Sequence, residues 1–361
     1  MLIAEEFRSK YLAQALALAI QQELPRPLQL MEVCGSHTMS IARFGLKTLL
    51  PPGLKLISGP GCPVCVTAQA QIDKFIALGR KSDLVLTSFG DMLRVPGTES
   101  SLEEERARGA DVRIVYSPQD ALHIARQKPD KRVVFFGVGF ETTTPAIALA
   151  VKEAHASQIA NFFVLSEHKL IPPALRVLLE DPDVSIDGFI CPGHVSVIIG
   201  SNAYQETAKR VPCVVAGFEP VDILQAILAL VKQAKMGESK VEVQYRRVVT
   251  ADGNKLAQQC VYEIFEVCDA EWRGLGILPG SGLRFRPEYA AHDAGALLDD
   301  IDPPTLVDTI CECASVLKGK IQPQDCPAFS VACTPDSPIG PCMVSTEGAC
   351  AAAYRYGGTE L

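Results

Sequence analysis

The feature that most limits what this chain can fold into is a rhythm. Between residue 28 and about residue 235, short runs rich in Val, Ile and Leu alternate with stretches of helical periodicity. Such alternation is the mark of βα units, in which parallel strands buried on both faces are joined by crossover helices. Eight strands are predicted, at residues 28–33, 54–58, 84–87, 112–116, 132–136, 161–165, 188–190 and 213–216. With the helices between them they exceed one small sheet, so the chain divides near 117–120 into two α/β domains, 28–118 and 119–237. After Met236 the pattern changes: 241–249 has a period of two, Asp252-Gly253-Asn254 reads as a turn and 256–267 as a helix. A third, α+β domain is expected there, formed by 238–361 together with 1–27. Its stretch 323–348 is rich in Pro, Gly and Cys and too irregular to hold together by apolar burial alone. A bound metal would supply the missing constraint.

The formal charge of −8 and the lack of a basic run interleaved with aromatics leave no footprint for a phosphate backbone, which argues against nucleic acid. Residues 1–22 mix apolar positions with Glu5, Glu6, Arg8 and Lys10, the pattern of an amphipathic helix rather than of an export signal. The most apolar stretch, 223–231, falls short of the roughly 20 residues that span a bilayer. Thirteen cysteines in such a chain point to metal or redox chemistry in a reducing compartment, the cytoplasm, rather than to a secreted disulfide framework.

In parallel sheets, ligands collect at the carboxyl ends of strands, where helix N-termini present free N–H groups. The polar motifs fall there. Residues 28–33 run into Cys34-Gly35-Ser36-His37-Thr38, and a helix start at Cys34 is expected to lower its thiol pKa, with His37 as a base or supporting donor; the alternative is an inert buried thiol. Residues 54–58 run into Gly59-Pro60-Gly61-Cys62-Pro63-Val64-Cys65, whose C-x-x-C pair between strand and helix reads as a redox dithiol or as half of a zinc site. Gly137-Val138-Gly139 lacks the third glycine of a dinucleotide fingerprint, since Thr142 stands in its place, and there is no phosphate-loop lysine. Glu141 and Thr142 either line the same cleft or cap a helix, and His168 and His194 end two further strands as cleft candidates or structural histidines.

Cys326, Cys333, Cys342 and Cys350 follow the spacing C-x6-C-x8-C-x7-C. Four thiolates suit a [4Fe-4S] cluster or a zinc ion, and the missing tight C-x2-4-C knuckle favours the cluster. Cys311 and Cys313, two apart on a predicted helix, are expected to point different ways and to be structural, as are Cys213, Cys260 and Cys268. Glu347, between two proposed ligands, is either a cleft acid or a solvated charge.

The motifs at 34–38, 59–65, 139–145 and 191–194, with Leu278-Pro279-Gly280-Ser281-Gly282 and the run 341–350, resemble the hydrogenase maturation protein family HypD nearly end to end. One departure is Ser330, where the family is expected to carry glycine. The resemblance implies two α/β domains plus one carrying a [4Fe-4S] cluster, and a scaffold rather than a turnover enzyme. That scaffold assembles the Fe(CN)2CO unit of [NiFe]-hydrogenases, working with the small chaperone HypC while HypE delivers cyanide; the hydrogenase large subunit is an indirect partner. By matching motif, Cys34 handles the iron or its cyanide beside His37, and Cys62 and Cys65 form a redox dithiol linked to the cluster. A freestanding thiol-disulfide oxidoreductase and a zinc-stabilised α/β enzyme are the rival readings.

Overall fold

The computed structural model describes residues 6–302, 304–305 and 309–357. Residues 1–5 of the expected first helix, and 303, 306–308 and 358–361 of the expected last domain, lie outside the described residues. In chain order the strands are β1 (Leu28–Glu32), β2 (Leu54–Ser58), β3 (Leu84–Ser88), β4 (Val112–Ile114), β5 (Arg132–Gly139), β6 (Phe162–His168), β7 (Gly188–Pro192), β8 (Cys213–Ala216), β9 (Val241–Val243), β10 (Phe265–Trp272) and β11 (Gly276–Phe285). All eight predicted strands are present, and the fold is α/β with two parallel sheets. One has the order β2-β1-β7-β8-β9, the other β4-β3-β5-β6, and β10 and β11 form an antiparallel hairpin.

The sheets cut across the division expected from the sequence. The chain begins the five-stranded sheet, leaves it after β2, builds the whole four-stranded sheet, and returns at β7, where Leu30 pairs with Gly188. The break expected between 118 and 119 therefore falls inside the four-stranded sheet, between β4 and β5. Periodicity marks a strand but not its neighbour, because a parallel crossover has a minimum length of about a dozen residues but no fixed one. For the same reason β9, expected to open a third domain, instead pairs with β8, Val214 opposite Glu242. The first helix (Lys10–Glu23) does not pack on the last segment either. Ala13 and Ile20 join the apolar cluster of Ile223, Leu224, Ile227 and Leu230 from the helix Pro220–Met236. The helix expected at 256–267 runs from Lys255 to Ile264, because side chains from Glu266 to Glu271 alternate between half-buried and exposed, a strand period.

Phe75 stacks on Phe136 at 4.2 Å within the largest core cluster, which draws residues from both parallel sheets and from the hairpin. The chain's last described part consists of short helices: Cys313–Leu317, Pro341–Val344 and Ala349–Tyr356. The last of these packs on the helix Gly35–Arg43, which brings the C-terminal segment to the carboxyl end of β1. Among the described residues no helix is long and apolar enough to cross a membrane.

Candidate functional site

Cys34 is the N-cap of the helix Gly35–Arg43. Its backbone is held by Glu32, the last residue of β1, whose buried carboxylate accepts from the Cys34 N–H at 3.1 Å and from Thr38 Oγ1 at 2.5 Å. The Cys62–Cys65 loop lies directly against this turn: Gly35 N–H donates to Gly61 O at 2.9 Å, and a Cβ placed on Gly61 would sit 2.2 Å from Cys34 N. Glycine at 61 is thus what lets the two thiol loops touch. Cys62 and Cys65 are joined as a disulfide, with Cα atoms 5.3 Å apart, at the start of the short helix Pro63–Val66.

Glu347 closes the site from the C-terminal segment. It accepts from Ser36 Oγ at 2.7 Å, and a Cβ on Gly35 would lie 2.4 Å from its own Cβ. Glu347 is half-buried against the Cys34 turn. His194 comes from the end of β7, within electrostatic reach of Glu347, and lies over Phe218 at 3.9 Å; Phe218 in turn stacks on His37 at 5.0 Å.

The expectation of a lowered Cys34 pKa is corrected. Burial and then the negative charge of Glu347 push its thiol up to about 12, outweighing the N–H groups of His37 and Ser36 that favour the thiolate. A helix start lowers a thiol pKa only where the charge stays solvated or is offset. The buried Nδ1 of His37 has no hydrogen-bond partner among the described residues. The ring's Nε2 donates to Gly217 O at 2.9 Å, and burial pushes its pKa down to about 4, so the ring is neutral.

The single cleft expected from the strand ends is divided. Cys34, Cys62, Cys65, His37 and His194 follow strands of the five-stranded sheet, whereas Glu141, Thr142 and His168 belong to the four-stranded one. Glu141 accepts from Ile171 N–H at 2.9 Å and lines a small separate cavity with Gln258, Val261 and Tyr262; burial pushes its carboxyl up to about 7. Thr142 is half-buried in the turn after β5. His168 is buried against Phe265, bonded through Nδ1 to Ser166 Oγ at 2.9 Å, with its pKa lowered to about 3 by burial.

Cys326, Cys333, Cys342 and Cys350 all line one small cavity, and Cys311 and Cys313 line it with them. That corrects the expectation that the last two point different ways. Cys311 precedes the helix that begins at Cys313, so helical geometry does not separate them. The overlooked signal was the C-x-C pair itself, in a chain already carrying four nearby cysteines. Gly340 permits the approach, since a Cβ there would lie 2.5 Å from Cys311 Sγ. The donor set fits a thiolate-bound cluster. Backbone N–H groups of Glu312 and Ile339 point at the sulfurs of Cys326 and Cys333, at 3.4 and 3.3 Å, as N–H groups do around cluster thiolates. Among the described residues no three acidic, His or Cys side chains already converge as metal ligands, so a bound cluster would draw these thiols inward. The helices Cys313–Leu317 and Pro341–Val344 both contact the helix of Cys65, so the disulfide stands between this cavity and Cys34.

Fold and site together define a class: an α/β thiol protein with two parallel sheets, in which a lone cysteine, a cysteine pair and a cysteine-lined cavity are placed in series. The profile described as HypD, hydrogenase formation hypA family, matches residues 11–357. The hydrogenase maturation factor HypD2 of Bradyrhizobium diazoefficiens is 47% identical over 99% of this chain and 97% of its own length. HypD of Rhizobium leguminosarum is 48% identical over 98% and 95%, and HypD of Escherichia coli K12 is 48% identical over 92% and 90%. The chain belongs to the HypD family.

Proposed function

We propose that the chain is a hydrogenase maturation factor that serves as a redox-active scaffold. With a HypC-type chaperone it holds the iron destined for the Fe(CN)2CO unit at Cys34 and receives cyanide brought by HypE. The observation that carries this reading is the closure of three separate segments on one thiol: the Cys34 turn, the Cys62–Cys65 loop at Gly61, and Glu347. Iron is the substrate. Its binding displaces the Cys34 proton, and Glu347, beside Ser36, is placed to accept it. A thiol held protonated until a metal arrives resists oxidation and alkylation in the meantime.

Cys326, Cys333, Cys342 and Cys350 are the proposed ligands of a [4Fe-4S] cluster, which when bound supplies electrons one at a time. Reducing the Cys62–Cys65 disulfide to two thiols takes two electrons and two protons. A freestanding oxidoreductase acting on outside disulfides needs an exposed attacking sulfur. Cys62 is 3% exposed and Cys65 0%, which favours a dithiol working inside the assembly.

Infrared spectroscopy of the anaerobically purified complex with HypC tests the proposal. Cyanide and carbonyl bands are expected for the parent and lost in Cys34→Ala. Full bands in Cys34→Ala would remove Cys34 from the mechanism, and turnover of a generic disulfide without HypC would favour the oxidoreductase.

A further inference from the structure

The Cys62–Cys65 loop is held at one end by the Cys34 turn, through the bond from Gly35 N–H to Gly61 O. Its other end is held from the β10–β11 hairpin, by Arg273. The Arg273 backbone N–H donates to Val66 O at 2.8 Å, Nε donates to Thr67 O at 3.1 Å, and Nη1 donates to Gln69 Oε1 at 2.8 Å. Thr67 also forms an antiparallel bridge with Trp272. Gln69 is tied down in turn, its Nε2 donating to Asp73 Oδ1 at 3.2 Å and to Pro96 O at 3.3 Å. One arginine thus grips the chain at 66, 67 and 69, directly after Cys65.

The hairpin tip is itself anchored. Trp272 is buried, its Nε1 donates to Ser281 Oγ at 2.9 Å, and its ring stacks on Phe140 at 6.0 Å. Beyond Arg273, Gly274 holds φ +79°, and a Cβ there would lie 2.8 Å from Ala314 Cα in the helix Cys313–Leu317. The tip therefore touches both the helix of the disulfide and the helix that carries Cys313 of the cysteine-lined cavity. The guanidinium gives something up to sit there: its Nη2 is buried and has no hydrogen-bond partner among the described residues. An arginine at liberty to choose its pose keeps its donors bonded or in water, because a buried unmet donor is costly. The pose is set by the loop that it holds.

We propose that Arg273 is a positioning residue for the Cys62–Cys65 dithiol: by gripping the chain after Cys65 it keeps the two sulfurs within bonding reach once reduced, and so holds the reduction potential of the pair low. The inference rests on the reading of the pair as a working dithiol. Reduction breaks the Sγ–Sγ bond and takes two electrons and two protons, leaving two thiols. How readily the bond forms again depends on how closely the freed sulfurs are kept together, an effective concentration that falls when either end of the loop is loosened. Gly35 secures one end and Arg273 the other. The planar fork reaches two acceptors at fixed angles, which a lysine ammonium cannot do.

The test equilibrates the full chain, purified anaerobically, in graded dithiothreitol redox buffers, where dithiothreitol supplies both electrons and both protons and closes to its cyclic disulfide. Acid quenching, alkylation in denaturant and trypsin then report this pair alone, because the tryptic peptide 56–74 holds no other cysteine. Arg273→Met and Arg273→Lys are each expected to reach half-reduction at a dithiothreitol ratio about tenfold less reducing than the parent needs, a potential about 30 mV less negative. Lysine keeps the charge and loses the fork. A shift in Arg273→Met alone, or a shift of either variant to a more negative potential, would assign the effect to charge and overturn the clamp. Melting temperatures taken alongside read folding separately: variants that melt lower but titrate with the parent make Arg273 a structural tie only, which also overturns it. If the pair in the folded parent resists reduction at every ratio, the dithiol reading itself falls, and the clamp with it. Cyanide and carbonyl bands play no part, so the role of Cys34 can fail while the clamp stands.

Discussion

Replacing Gly61 by alanine asks whether contact between the two thiol loops is as tight as the geometry requires. The new methyl would lie 2.2 Å from Cys34 N and 2.5 Å from both Cys34 Cα and Val33 C, and all three are backbone atoms that no rotamer change moves away. Gly61 has no positive φ, so the cost is steric rather than conformational. Overpacking against backbone costs about 1–3 kcal/mol. Losing the 2.9 Å bond from Gly35 N–H to Gly61 O adds about 1 kcal/mol. At about 2 °C per kcal/mol for a chain of this size, Gly61→Ala should melt about 4–8 °C below the parent. Gly237→Ala is the control: φ is +66° and nothing lies within 4 Å of the added methyl, so only the left-handed backbone penalty of about 1 kcal/mol applies. Thermal melting followed by circular dichroism separates the two, and alkylation of Cys34 should rise in Gly61→Ala as the turn is forced open. If Gly61→Ala melts like the parent and Cys34 stays as slow to alkylate, the close approach of the loops is not what positions the thiol.

Four further outcomes follow from named contacts. Because Glu347 helps push the Cys34 thiol up, Glu347→Gln should lower its pKa and speed iodoacetamide modification at neutral pH, read by mass spectrometry. Buried His37 has its pKa depressed from 6.5 to about 4, so its contribution is fully present above pH 6.5 and is lost as pH falls toward 4. The full loss is about 3 kcal/mol, and urea-unfolding midpoints of a His37→Gln variant should depend less on pH across that window. Single Cys→Ala changes at the six thiols of the C-terminal cavity should abolish bound iron and labile sulfide at four positions and spare them at two; losses at Cys326, Cys333, Cys342 and Cys350 support the proposed ligand set. Ser330 holds φ +60°, the left-handed region, so Ser330→Gly should stabilise the chain by about 1 kcal/mol, measured as a rise in melting temperature.

That same serine shows where the sequence reached on its own. The resemblance expects glycine there, and the backbone supplies the reason. Local pattern was enough to find every parallel strand of the two sheets, β9 within 241–249 included, and to place Cys34 and the Cys62–Cys65 pair at strand ends, because burial period and turn chemistry are written within a few residues. Which strands pair was not local. β1 lies beside β7, more than a hundred residues away, so the domain break near 118 dissolved into a sheet that the chain leaves and rejoins. Environment was not local either. Cys34 stands at a helix start, which by itself favours the thiolate, and only the packing of Glu347 and the surrounding core reverses that. Cys311 and Cys313 joined the other four thiols for the same cause. Pairing, desolvation and charge proximity are set by residues far apart in the chain, and they exist only once the tertiary fold has brought those residues together.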